Sequence, residues 1–154
     1  MGLERWRRLL PGLWAGGLLC VALLATPAPF ATLAAADAGR VVARMLAHEA
    51  HASLALGIVM LVLERVAARR RAGDQPGSQF SAGMVLTLGA LFCTVAGYFA
   101  LQPMMVAARA GQGSLSFGQL HALSAAFYLV KLGLVLALAW RASALSALSR
   151  TPSS

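Results

Sequence analysis

Residues 75–108 read QPGSQFSAGMVLTLGALFCTVAGYFALQPMMVAA, 34 residues without a charge between Asp74 and Arg109. A bilayer core is crossed by roughly 20 predominantly apolar residues of helix. Backbone inside lipid has no water to bond, so such a stretch has to be helical. Two other charge-free stretches exist, 28 residues between Arg8 and Asp37 and 21 between Arg109 and Lys131. Across the 154 residues only 12% are charged and 59% are hydrophobic. Soluble domains carry roughly 25% charge, so too little polar surface is left to cover a water-soluble globule.

The expected fold is therefore all-α, an integral membrane four-helix up-down bundle in one domain. The helices are placed at about 9–28, 45–68, 80–105 and 117–140. Residues 69–79 form a loop and 141–154 a flexible tail. Helix two has only 14 uncharged residues between Glu49 and Glu64, so it spans only if Glu64 and Arg65 sit at its end, where an arginine can snorkel to the headgroups. Pro27 and Pro29 cannot continue regular helix bonding, so near the end of helix one the chain kinks or leaves the membrane. Arg40 and Arg44, four apart beside Val41 and Met45, read as an interface-lying amphipathic turn.

The net charge of +8 does not point to nucleic acid. Twelve of the thirteen basic residues are arginines flanking the apolar blocks. Nine lie on the side of the termini and of the 69–79 loop, and three (Arg40, Arg44, Arg109) on the other. The positive-inside bias then puts both termini in the cytoplasm of a bacterial inner (plasma) membrane. Arg5, Arg7, Arg8 and the following apolar run also resemble a signal peptide, with Ala34-Ala35-Ala36 as a cleavage site. The stretch is long for that, and Gly12, Gly16 and Cys20 make a small-residue stripe suited to helix packing, which favours a retained helix. Gly89, Cys93 and Gly97 repeat the stripe. Neither cysteine is in a CxxC, so no redox or zinc motif is indicated.

Polar residues gather at the non-cytoplasmic end. His48 and His51 begin helix two, His121 begins helix four, and Gln102, Met104 and Met105 close helix three, with Glu49 nearby. At 100° per residue His121, Ser124, Tyr128 and Lys131 share one stripe. Thr87, Thr94, Tyr98, Gln102, Met105 and Arg109 share another. Lys131 is the most costly residue, since a charge at mid-membrane costs about 2.5–3.5 kcal/mol, and an ionisable group there is a functional candidate by default. A structural hydrogen bond, to Tyr128, Tyr98 or water, is the plainer alternative.

The candidate polar site is thus His48, His51, Gln102, His121, Ser124, Tyr128 and Lys131. Metal-ligand candidates are His48, His51, His121 and Met105, a set that suits copper best, although interfacial histidines often only cap hydrogen bonds. Haem between two imidazoles, such as His51 and His121, is a further alternative, but no cofactor is the leading expectation. No nucleophile elbow, HExxH or phosphate loop occurs, so no catalytic residue is assigned and enzyme activity is not expected.

Several short motifs, in order, resemble a known family. They are Trp14-Ala-Gly-Gly17, the Pro27/Pro29-Phe30 exit, Ala38-Gly39-Arg40, Gln102-Pro103 followed by Arg109, and Phe117-x-x-x-His121-x-x-Ser124. Together they resemble the bacterial domain of unknown function 4149 family, also called transmembrane protein 205-like, from about Leu9 to Trp140. The resemblance implies a four-span membrane protein of unassigned activity, with eukaryotic relatives associated with platinum-drug resistance. Tyr128 stands where that family leads one to expect an asparagine, so only His121 and Ser124 carry over. Small four-span copper-resistance proteins are a more distant likeness.

The leading functional expectation is a non-enzymatic protein handling a small polar solute or soft metal ion at its outward face. The alternatives are a packing subunit of a larger membrane complex, with a membrane-protein partner or a second copy, and a copper-resistance-like or haem-binding protein. The bilayer is the one partner common to all of them.

Overall fold

The structure, a computed structural model, describes residues 2–72 and 81–148. The described residues contain helices and no strand: α1 (Gly2–Cys20), α2 (Pro27–Thr32), α3 (Ala35–Ala72), α4 (Ala82–Thr94), α5 (Leu101–Arg109) and α6 (Phe117–Leu148). Five-residue π-helical turn Val21–Ala25 joins α1 towards α2, and a six-residue one, Val95–Ala100, joins α4 to α5. Four helical rods result, Gly2–Thr32, Ala35–Arg70, Ala82–Arg109 and Phe117–Ala144, each long and apolar enough to cross a membrane. They are called spans one to four below.

Both π-helical turns have the same cause. A proline ring clashes with the carbonyl four residues earlier and lacks an N–H to bond it. For Pro27 that carbonyl belongs to Leu23, and for Pro103 to Phe99, each inside a π-helical turn. Widening the helix there absorbs the clash without breaking the rod. Span one therefore continues past residue 28 to Thr32, with Pro27 serving as the first residue of α2.

Span two also begins earlier than Met45. The Arg40 and Arg44 segment is simply the first turns of one 38-residue helix, α3. That segment is amphipathic because Ala38 and Val42 are buried while Arg40 and Arg44 face outward. Spans three and four begin at Ala82 and Phe117 and reach Arg109 and Leu148. Residues 73–79 of the expected loop, Phe80 and residues 149–154 of the expected tail lie outside the described residues.

Two helix starts are capped by serine. Ser81 accepts a bond from the Met84 N–H at 3.2 Å. Ser116 and Gln119 satisfy each other's backbone N–H groups at 3.2 and 2.9 Å, a capping box that launches α6. Span three is ended by Gly111, whose φ of +73° suits a residue without a Cβ.

Spans one and two, two and three, three and four, and four and one pack side by side. Contacts between successive spans run in opposite chain directions. Arg7 meets Glu64 and Trp14 meets Ser53, Gly57 faces Leu91 and Gly83 faces Glu64, while Gly89 faces Leu134 and Gly97 faces Phe127. The core between spans one, three and four is Trp14, Ala15, Leu18, Ala90 and Val135. Outward-facing Leu13, Leu24, Val62, Phe92, Leu129 and Trp140 are exposed on all four spans. On a soluble monomer so much exposed apolar surface is unusual; on a membrane-spanning chain it is the lipid-contacting face.

At Gly83, as at Gly57 and Gly97, an added Cβ would lie 2.5 Å from its nearest neighbour, here a Glu64 carboxylate oxygen. We expect Gly83→Ala to push that carboxylate from its partners and lower stability by about 1–3 kcal/mol, the usual range for overpacking. Thermal unfolding in mild detergent measures this, and an unchanged transition would show that the carboxylate has room to move.

Candidate functional site

Lys131 is 3% exposed, and its ammonium meets both oxygens of Glu49 at 2.8 and 2.9 Å. Helix geometry explains the meeting. Position 49 is fourteen residues past Ala35 and position 131 is fourteen past Phe117 (49 − 35 and 131 − 117). At 1.5 Å per residue each charge lies about 21 Å into its helix from the same end of the bundle. The Glu49 carboxylate also accepts the Ser53 hydroxyl at 2.5 Å, and Ser53 accepts the Trp14 indole N–H at 2.9 Å. Spans one, two and four are thus joined by one chain of polar contacts. The Lys131 ammonium also lies 4.6 Å from the centre of the Tyr128 ring.

The rest of the α6 stripe serves backbone. Tyr128 donates its hydroxyl to the Leu18 carbonyl at 2.8 Å, one turn before the first π-helical turn. Ser124 donates to the Gly97 carbonyl at 2.7 Å, inside the second. Each proline-induced irregularity therefore has a hydroxyl from α6 beside it. Among the described residues no buried side-chain nitrogen or oxygen lacks a hydrogen-bond partner.

Above the Lys131–Glu49 pair the four spans part around a cavity of about 610 Å³. Its walls are mostly apolar, with Phe30, Val42, Leu46, Met105 and Leu129 among them. Polar groups enter from Thr94, Tyr98, Gln102, Arg109, His121, Ser124, Tyr128, Glu49 and Lys131. At the end of the cavity away from the ion pair the Arg109 guanidinium sits 4.3 Å from the centre of the Phe117 ring, which stacks on His121 at 5.8 Å.

Of the expected site residues, Gln102, His121, Ser124, Tyr128 and Lys131 line this one cavity, and so does Met105. His48 and His51 do not. His48 is exposed, and His51 turns its Nδ1 to its own Ala47 carbonyl at 2.7 Å and packs against the Phe99 ring. Among the described residues no group of three or more His, Cys, Asp or Glu side chains is placed to hold a metal ion. The partner of Lys131 is Glu49, which the sequence left unassigned. Its signal was a lone acid in an apolar block, hidden by placing the start of span two at Met45 instead of Ala35.

A second buried ion pair closes the opposite end. Arg7 gives two hydrogen bonds to one Glu64 oxygen, at 2.9 and 2.7 Å, and Ser81 donates to the other at 2.9 Å. Glu64 therefore faces the bundle, not the headgroups, whereas Arg65 is exposed. Spans one, two and three are tied there.

The sequence profile of the family described as a domain of unknown function, DUF4149, matches residues 9–114. No curated protein and no solved structure matches the chain.

Removing one partner of a buried ion pair leaves a charge without compensation, at a cost of about 3–5 kcal/mol. We expect Lys131→Ala and Glu49→Ala each to destabilise by that order. The double variant should lose clearly less than the two singles combined, as coupled residues do. A double-mutant cycle from unfolding in detergent reads the coupling, and simple additivity would mean that the two charges do not support each other.

Proposed function

The chain belongs to the DUF4149 family, and from that premise we propose that it is a non-enzymatic inner-membrane protein whose outward-facing cavity holds a small solute bearing a polar group. The observation that carries this reading is the cavity of about 610 Å³ above the Lys131–Glu49 pair. That volume falls in the range of about 300–1,000 Å³ found for ligand sites, which are likewise mostly apolar with a few convergent polar groups. Gln102, His121, Ser124 and Tyr128 are the contacts on this reading, and the ion pair is the floor.

The orientation rests on the arginines. With nine beside the termini and the second-to-third connection, and three at the other side, the positive-inside bias turns the Arg109 end of the cavity outward. The soft-metal, copper and haem versions have less support, because His48 and His51 lie away from His121. A packing role would instead place the Gly12, Gly16 and Cys20 face, which is exposed on span one, against another helix. Disulfide cross-linking at Cys20 in native membranes would favour that role over the cavity.

Cys93 lines the cavity and Cys20 lies on the outer face. In a Cys20→Ala protein we expect a small, charged, membrane-impermeant methanethiosulfonate to label Cys93 from the periplasmic side of spheroplasts. Labelling from the cytoplasmic side alone would reverse the orientation. Absence of labelling from both sides, with labelling restored on unfolding, would remove the open cavity.

A further inference from the structure

The cavity has a side opening. Up to Leu18 the first span packs on α6; past it, the π-helical turn and α2 lean on α3 instead. Ala22, Thr26 and Phe30 therefore face the cavity from one side, and His121, Ala125 and Leu129 from the other. Phe30, His121, Ala125 and Leu129 are at the same time exposed on the outside of the bundle. A residue that both lines a cavity and faces outward marks its rim. On a membrane-spanning chain that rim opens on lipid tails.

The charges of the cavity do not balance. Its charged lining residues are Glu49, Arg109 and Lys131. Glu49 and Lys131 neutralise each other. Arg109 is left with the Phe117 ring as its contact and has no carboxylate partner among the described residues. Asp37, the acid nearest in sequence to this end of span two, pairs with Arg40. A guanidinium is a planar fork that matches a carboxylate with two parallel hydrogen bonds. It stands exposed at the end of span three, in the same cavity lining as His121 and the apolar walls.

An apolar body with one acid head complements this arrangement. Resting on the cavity reading above, we infer that the solute is a long-chain carboxylic acid that enters sideways from the bilayer between spans one and four. Its chain lies against Phe30, Val42, Leu46 and Leu129, and its carboxylate meets Arg109. The volume is that of a site for one small ligand, which favours a single-chain acid over a two-chain phospholipid.

Trp14 reports on the cavity floor, because its indole bonds Ser53, whose hydroxyl bonds Glu49. Trp6 and Trp140 are exposed on the outside, and the chain has three tryptophans. In a Trp6→Phe/Trp140→Phe protein, Trp14 is the sole indole and is shielded from bulk lipid. Stearic acid brominated near its methyl end, titrated into the detergent-solubilised protein, should quench Trp14 saturably. Arg109→Ala should weaken the apparent affinity about tenfold or more, as loss of a charge-assisted bond does, and Arg109→Lys should recover part of it. Ala125→Phe, which fills the rim, should slow or abolish quenching. Quenching that rises linearly without saturation would overturn the inference. So would equal affinity for the brominated methyl ester, or saturation by a brominated phosphatidylglycerol with none by the acid. Labelled Cys93 together with any of these results would leave the cavity reading standing and remove only the acid.

Discussion

A lysine and a glutamate cannot sit alone at mid-membrane depth, and much of this bundle follows from that constraint. Lipid offers no solvation for either charge, so each needs the other within hydrogen-bond range. Meeting at 2.8 Å requires spans two and four to start in register, fourteen residues before their charges. It also draws in Ser53 and Trp14, because the carboxylate has lone pairs left over after the ammonium is bound. The buried Arg7–Glu64 pair repeats the logic at the other end with Ser81 as the extra donor. Between them the two pairs fix all four spans. The carboxylate in both cases belongs to span two.

The prolines supply the second constraint. Pro27 and Pro103 are spaced so that their clashes fall on the two spans flanking α6, and α6 answers with hydroxyls at positions 124 and 128. The stripe that began as a candidate binding face is therefore also structural. Ser124 holds π-helical backbone and Tyr128 holds the helical turn just before the other π-helical segment, past which the first span leans on α3 and leaves room for the cavity. Site and scaffold are not separable along this stripe.

Much of this was legible in the sequence. Long charge-free runs give spans one, three and four, because lipid permits little else for single segments, while span two has to be extended past Glu64 and Arg65. The 100° period collected Ser124, Tyr128 and Lys131 on one face, and all three line the cavity. Less legible was what needs exact axial position. Where span two begins cannot be read from hydropathy when Arg40 and Arg44 lie on the outer face of the same helix. Ten residues of uncertainty there hid Glu49 as the partner of Lys131. The histidines misled for a related reason. Sharing an end of the bundle does not put side chains together, and the phase of His48 and His51 turns them away from His121. π-helical turns shift phase as well, and the prolines that cause them read in sequence as a kink or a helix end without saying which.

The ion pairs have a bearing on how the chain is made. Ribosomes deliver the spans in order, and Glu49 emerges 82 residues before Lys131. Span two thus enters the bilayer with an acid whose cation does not yet exist, while Glu64 finds Arg7 already in place on span one. The half-made protein is anchored at one end and unsettled at the other. Completion of the fourth span is then a chemical event as well as a topological one, since it supplies the charge that lets the second span lie still.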